Sequence, residues 1–229
     1  MKIKFGTEEF NEYLSGNKLS NGESFSFESD KNQPVISRNE LILSLCNNKN
    51  VLHVGCADHI NLIKMKRTNG QYLHDRLGEV CNLLLGVDVN DEALRLMRSI
   101  GIENVYNVKE LPENNYDIIL IPDVIEHVTN VGDFLTSLKK YNAKTLIVTT
   151  PNAYRLINRK QFDAELINTD HHYWFSPYTL IKSLYGSGFV TTDIYFTDTL
   201  SWRHPLDRLR KISHPLCRDG LLVVASYPS

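Results

Sequence analysis

The sequence predicts an α/β protein whose core is a doubly wound, mainly parallel sheet. Two short apolar segments, VLHVGCADH at residues 51–59 and LLLGVDVN at residues 83–90, predict strands. The first ends in a turn of small residues and the second in the carboxylate of Asp88, and residues 71–82 between them carry apolar side chains at helical intervals. Strand, turn, helix and strand in this order hold an adenosine nucleoside across the carboxyl ends of the strands.

Periodicity along the rest of the chain extends this alternation. Apolar residues at helical spacing predict helices over residues 37–48, 90–101 and 177–186. Short apolar runs predict further strands at residues 105–108, 116–122, 145–150, 189–196 and 221–227. Residues 60–70 are expected to form a long turn that folds over a bound ligand, because long loops beside ligand sites often act as lids.

Length and composition indicate one ordinary globular core. The 229 residues are 42% hydrophobic and 23% charged, and the formal net charge of −2 gives no sign of nucleic acid or an anionic membrane as the main partner. The four cysteines are widely spaced and do not form a zinc-type motif, so free thiols and no metal cofactor are expected. No apolar run is long enough for a signal core or a membrane span, which favours a reducing, cytoplasmic setting.

The first part of the chain differs in character from the rest. Residues 1–50 are largely polar and are broken by NGES and NQP before the predicted helix at residues 37–48. We therefore expect residues 1–50 to form a cap or lid segment, and residues 51–229 to form the domain that binds the nucleoside.

Three blocks follow the nucleoside-binding strands in a recognisable order. They are IPDVIEHV at residues 121–128, TTPNAYRL at residues 149–156 and HHYWFSPYTLIKSLYGSGF at residues 171–189. With these blocks the chain resembles the class I S-adenosylmethionine-dependent methyltransferases, and within them a branch that often modifies sugars of surface-polysaccharide or natural-product pathways. The resemblance implies a Rossmann-like, seven-stranded sheet with an antiparallel last strand, and makes residues 51–229 a methyltransferase domain.

The resemblance also implies a cofactor, a partner and a set of binding residues. The cofactor is S-adenosylmethionine, and the acceptor is a small molecule such as a sugar or a nucleotide-linked sugar. Asp88 is expected to accept hydrogen bonds from the ribose hydroxyls, although an aspartate here could instead cap the following helix. The other cofactor-binding residues implied by position are Gly55, Cys56, Ala57, Asp58, Val89, Asn107 and Pro122.

Two positions depart from the family pattern. His53 replaces the acidic residue that usually precedes the glycine-rich turn, and Asn107 replaces an acid that often contacts adenine. A neutral imidazole cannot attract the methionine ammonium as a carboxylate does, so Asp58 is the nearest candidate for that contact. Asn107 can still hydrogen-bond to the edge of the base.

The candidate catalytic residues follow from the proton that a hydroxyl acceptor has to lose during methyl transfer. Histidine suits that task near neutral pH, so His127 and His171 are the candidate bases and Asp123 is expected to orient the acceptor; each histidine could equally be structural. An amine acceptor needs no strong base. Glu126 is expected to order its own loop. Four aromatic residues could stack on a sugar ring or form a hydrophobic lid; they are Tyr154, Tyr173, Trp174 and Phe175.

Two other classes of function stay open at this level. A dinucleotide-dependent oxidoreductase or epimerase shares the strand, turn, strand and aspartate, although the full glycine motif is missing. A non-catalytic subunit that keeps the fold for binding is favoured by the loss of the acid at His53. The acceptor atom and the oligomeric state are not determined by the sequence.

Overall fold

The computed structural model of the chain describes residues 2–159, 163–165, 167–199 and 205–227. Its strands are β1 (Lys2–Lys4), β2 (Ser26–Glu28), β3 (Asn50–Val54), β4 (Leu83–Asp88), β5 (Val105–Asn107), β6 (Ile118–Pro122), β7 (Thr145–Pro151), β8 (Val190–Thr197) and β9 (Gly220–Ser226). Its α-helices are α1 (Glu8–Ser15), α2 (Arg38–Cys46), α3 (Ile60–Thr68), α4 (Leu73–Val80), α5 (Asp91–Ser99), α6 (Val131–Leu138), α7 (Leu156–Arg159), α8 (Pro177–Gly186) and α9 (Pro205–Ser213).

The strands β3 to β9 form the central sheet of the described residues. Their order is β5-β4-β3-β6-β7-β9-β8, which makes seven strands. The last strand, β9, runs antiparallel to both of its neighbours, whereas the pairs among β3, β4, β5, β6 and β7 are parallel. This arrangement confirms the predicted doubly wound α/β fold with an antiparallel last strand.

Helices cover both faces of this sheet, which explains why its central strands are uninterrupted apolar runs. Successive strand residues point to opposite faces, so Ile119 joins the core under α6 and α8 whereas Ile118 joins the core under α2 and α4. Beyond the β5 edge, α3 and α5 enclose a third, smaller apolar cluster. The sheet is therefore rigidly held from both sides.

The order in which the chain adds strands to the sheet reverses between β3 and β6. It proceeds from β3 outward through β4 to β5, and then returns to place β6 on the other side of β3. In open α/β sheets the carboxyl ends of the two strands at such a reversal form a crevice where ligands bind. The fold thus positions a crevice at the ends of β3, β4 and β6.

The prediction that residues 60–70 form a long turn is wrong, because most of this segment is the helix α3. Ile60 and Ile63 are one helical turn apart, and Ile63 is 0% exposed in the cluster that also contains Leu94 and Met97 of α5. This apolar stripe lets the segment form a packed helix. Only a short connection separates β3 from α3.

The segment before β3 packs closely on the rest of the chain. Leu41 and Ile42 of α2 are buried with Val51 of β3, and Phe10 of α1 contacts the Tyr178 ring of α8 edge to face at 6.3 Å. β1 and β2 pair separately as a two-stranded parallel ribbon. None of the helices in the described part of the chain has the length and apolar character needed to cross a membrane.

Replacing Ile63 by Ala is expected to lower the free energy of unfolding by about 2–5 kcal/mol, because it leaves a cavity between α3 and α5. Met65 lies on the same helix but is 51% exposed, so Met65→Ala is the matched control and should cost far less. Urea unfolding followed by circular dichroism measures both values. Equal costs for the two variants would show that α3 is not packed in this way.

Candidate active site

A large cleft opens at the carboxyl ends of β3, β4 and β6. Its volume is about 1160 Å³, which exceeds the ~300–1,000 Å³ typical of one small-ligand pocket. The turns after these three strands form its floor, and residues 37–39 and the start of α4 contribute to its rim. The cleft can therefore hold a nucleoside and a second molecule together.

Gly55 begins the turn after β3 and has to be glycine. Its φ is +72°, and a Cβ atom at this position would lie 2.2 Å from Cγ2 of Val124. The N–H groups of Gly55 and Cys56 both donate to the Val87 carbonyl, at 2.8 and 3.2 Å. These bonds tie the turn to β4, so small residues here permit close approach of the backbone.

Asp88 ends β4 and connects the two turns. One carboxylate oxygen accepts from the Ala57 N–H at 3.0 Å, and the other accepts from the Asn90 N–H at 2.9 Å. The cap of α5 is Asn90, whose side chain accepts from the Ala93 N–H at 3.1 Å, so the alternative role of Asp88 as that cap is wrong. The half-buried carboxylate faces the cleft and keeps further lone pairs for hydroxyl donors.

The other residues expected at the cofactor differ in where they lie. Val89 is 80% exposed and lines the cleft, as does Pro122 at the end of β6. Asp58 also lines it, but its carboxylate is paired with Lys66. Asn107 is not among the lining residues: its amide donates to Asp91 at 2.7 Å.

His53 is buried in the wall of the cleft beside a second histidine. Nδ1 of His53 lies 3.0 Å from Nδ1 of His74, and Nε2 of His74 lies 3.3 Å from Oδ1 of the Asn104 side chain. Burial lowers the pKa of His53 well below its usual value and lowers that of His74 to about 4. The pair is therefore neutral at pH 7, and this wall carries no charge that would attract an ammonium group.

Asp123 follows β6 in a strained backbone conformation. Its φ is +51°, which is uncommon for a residue other than glycine, and it is held there because its N–H donates to the Thr149 carbonyl at 3.0 Å. The Thr149 hydroxyl donates to its carboxylate at 2.8 Å, and Arg38 forms an ion pair with the same carboxylate. Sequence analysis missed Arg38, because no local pattern connects the start of α2 with β6.

His127, His171 and Glu126 meet beside the cleft. His127 lines the cleft, and its Nδ1 donates to the Asp170 carbonyl oxygen at 2.8 Å, so Nε2 is the ring nitrogen left for other contacts. His171 is not a lining residue, but its ring centroid is 4.8 Å from that of His127.

Glu126 is more deeply placed than either histidine. It is 1% exposed, and neither of its carboxylate oxygens has a hydrogen-bond partner in the described structure. Burial raises its pKa to about 7, and the nearby Thr150 and Arg38 offset this only in part. The aromatic residues expected at the acceptor do not line the cleft; they are Tyr154, Tyr173, Trp174 and Phe175.

Comparison with known proteins identifies the kind of enzyme. The model of the methyltransferase domain family matches residues 27–194 of this chain. The chain belongs to this family. None of the curated proteins matches it. It is an S-adenosylmethionine-dependent methyltransferase, so the oxidoreductase or epimerase alternative is wrong.

Solved structures of other methyltransferases share the fold of this methyltransferase. A SAM-dependent methyltransferase from Archaeoglobus fulgidus is similar with a TM-score of 0.51 and 18% identity, over 82% of this chain and 94% of that one. One from Aquifex aeolicus has a TM-score of 0.51 and 17% identity, over 84% and 91%. The magnesium protoporphyrin IX methyltransferase of Synechocystis with bound SAH has a TM-score of 0.53 and 15% identity, over 83% and 82%.

The buried histidine pair is expected to make the fold sensitive to acid. The unfolded chain binds protons at the usual histidine pKa of 6.5, whereas folded His74 binds one only near 4, so stability is lost as the pH falls between these values. The free energy of unfolding should drop by about 2–3 kcal/mol from this residue.

Urea unfolding at a series of pH values measures this loss. His74→Gln should flatten the acid limb, and His214→Gln, which replaces an exposed histidine, is the control that should leave it unchanged. The same acid limb in wild type and His74→Gln would contradict the interpretation.

Proposed function

We propose that this methyltransferase methylates a hydroxyl group of a small polar acceptor, either a sugar or a nucleotide-linked sugar. The observation that carries the proposal is the division of the cleft: Asp88 lies on one side of it, and His127 and Asp123 lie on the other. The first side suits a nucleoside and the second suits a hydroxyl acceptor, with β3 between them.

The nucleoside side is proposed to hold the cofactor. The lone pairs of Asp88 match the two ribose hydroxyls, and the exposed side chain of Val89 provides an apolar surface for adenine. The turn at residues 55–58 and Pro122 are proposed to complete this half. Asp58 is the proposed contact of the ammonium group, because the neutral His53 cannot serve it.

The acceptor side is proposed to receive the hydroxyl group. When bound, S-adenosylmethionine would supply an activated methyl group, and its sulfonium would become a neutral thioether as the acceptor oxygen takes the methyl group. The hydroxyl proton would pass to His127 or to water in the cleft. His127 lines this side with its Nδ1 held by the Asp170 carbonyl, and the ion pair of Arg38 with Asp123 fixes charged hydrogen-bonding groups at the same side. Such groups hold an acceptor in line with the donor.

The rim of the cleft supports a nucleotide-linked acceptor. Lys140 lines it, and so does Arg76, whose guanidinium is shared with Glu40 at 2.8 Å; ammonium and guanidinium groups bind phosphate oxygens. Ser37, Arg38 and Asn39 also line the cleft, which supports the role of residues 1–50 as a cap over the site. A phosphate-bearing sugar would meet Lys140 and Arg76 while its ring lies near His127.

Asp88→Ala is expected to weaken S-adenosylmethionine binding by about 1.5–3 kcal/mol, the scale of hydrogen bonds to a charged group. Calorimetric titration with the cofactor or its demethylated product measures this change. Glu92→Ala is the matched control, because Glu92 is an exposed acid in the first turn of α5 and does not line the cleft.

Asp88 also holds the backbone of two turns, so Asp88→Asn provides a milder second variant. It keeps one acceptor oxygen and should show a smaller loss of affinity in the same titration. Native affinity in both variants, with native circular dichroism, would show that the ribose does not bind at Asp88.

His127→Ala is expected to lower kcat by about 10²–10⁴-fold, because a group that assists removal of a proton usually accelerates a reaction by that factor. The cofactor affinity should change little. Initial rates with labelled donor measure kcat. His59→Ala is the control, because His59 is an exposed cleft residue on the side away from the proposed acceptor. Wild-type turnover in His127→Ala would exclude an acceptor-side role for this residue.

The acceptor class is tested with a panel of nucleotide-linked sugars, the corresponding free sugars and amino sugars. Transfer of labelled methyl to a hydroxyl, with a lower KM for the nucleotide-linked form, supports the proposal. Arg76→Ala should raise that KM without affecting the free sugar. Transfer only to the amine of amino sugars would show that the acceptor atom is nitrogen.

A further inference from the structure

We propose that Glu126, His127 and His171 bind a divalent transition-metal ion that holds the acceptor hydroxyl, an inference that deepens the proposed function and rests on it for the role of the ion. One carboxylate oxygen and one ring nitrogen from each histidine lie within 4.8 Å of one another. No other group of histidine, cysteine and carboxylate side chains in the described residues comes together in this way.

The spacing of these three groups is compatible with a shared ion. Nitrogen and oxygen ligands lie about 2.1 Å from a transition-metal ion, so two ligands of one ion are separated by roughly 3 Å. Small rotations of the side chains bring atoms that now lie within 4.8 Å to that separation.

The burial of Glu126 is the second observation that points to a cation. Its carboxylate is almost completely buried, and both of its oxygens lack partners among the described residues. An unpaired buried carboxylate is costly, and such a group either takes up a proton or is paired with a cation. Arg38 fills this role only in part, because it forms its ion pair with Asp123.

The hydrogen bond behind the His127 ring is that of a metal ligand. A ligating histidine usually donates its other ring N–H to a carbonyl or carboxylate, and Nδ1 of His127 donates to the Asp170 carbonyl. His171 has a buried Nδ1 without a partner, and its Nε2 accepts from the Asn168 amide nitrogen at 2.8 Å. For Nδ1 of His171 to bind the ion, the Asn168 amide has to turn over so that its oxygen accepts from Nε2–H. Asn168 and Asp170 belong to one turn, which therefore orients both rings.

The ligand types select the class of metal. Two imidazoles and one carboxylate suit Mn²⁺, Fe²⁺, Co²⁺ or Zn²⁺, whereas Mg²⁺ and Ca²⁺ prefer oxygen ligands. Three protein ligands leave coordination positions free for other molecules. Because His127 lines the cleft, these positions face the acceptor.

An ion at this place changes the role of the two histidines. Their ring lone pairs are then used for metal binding, so neither residue is the general base. A hydroxyl that coordinates the ion has a lowered pKa and releases its proton to water in the cleft, and the oxygen then forms the bond to the methyl carbon. Coordination to the ion thus lowers the pKa of the hydroxyl, and the proton leaves to water without His127 as the base.

Direct metal binding tests the proposal without any acceptor. The full chain is treated with EDTA, dialysed and titrated with Co²⁺, and both calorimetry and visible absorption are recorded. We expect one Co²⁺ per chain, and Glu126→Gln and His171→Ala should each weaken binding by at least tenfold. His172→Ala is the matched control, because His172 is the exposed neighbour of His171 and lies outside the cluster.

The outcomes separate the metal site from the methyl acceptor. Wild-type Co²⁺ affinity in His171→Ala and Glu126→Gln, both natively folded by circular dichroism, would overturn the metal site. Methyl transfer to a sugar hydroxyl at the full rate after EDTA treatment would overturn the role of the ion while leaving the proposed function intact. Binding of one Co²⁺ per chain that depends on His171, together with methyl transfer that is restored by the metal, supports both the metal site and the role of the ion. Equal affinity for Mg²⁺ and Co²⁺ would overturn the assigned metal class.

Discussion

The N–H groups of Gly55 and Cys56 donate to the Val87 carbonyl, and the N–H of Ala57 donates to the Asp88 carboxylate. These bonds tie the turn after β3 to the end of β4, although the two segments are distant in the chain. The turn can lie so close to β6 because Gly55 has no side chain to meet Val124. The shape of the cleft therefore depends on this backbone contact.

The opposite wall of the cleft is held together by a similar contact between distant segments. The Glu126 carbonyl accepts from the N–H groups of His172 and Tyr173, at 2.8 and 3.3 Å. His127 in turn donates to the Asp170 carbonyl. The segment before α8 is thereby fixed against the turn after β6, which brings two histidines and a glutamate to one place.

The two buried polar clusters beside the cleft differ in how their hydrogen-bonding groups are satisfied. His53 and His74 pair with each other, and Asn104 accepts from the second ring, so this cluster is neutral and complete. Glu126 has a buried carboxylate without such a partner. Complete polar clusters stabilise a fold, whereas a buried group left unpaired is costly and marks a place for a ligand.

The sequence by itself determined the sheet and the positions of Gly55 and Asp88, because the period of apolar residues and the chemistry of strand ends are local properties. The prediction of a loop at residues 60–70 was wrong, because two isoleucines one helical turn apart pack on α5 and stabilise the helix α3. Only the tertiary structure decided the ion pair of Arg38 with Asp123 and the meeting of Glu126 with His171, since these contacts join residues far apart in the chain and no local pattern relates them.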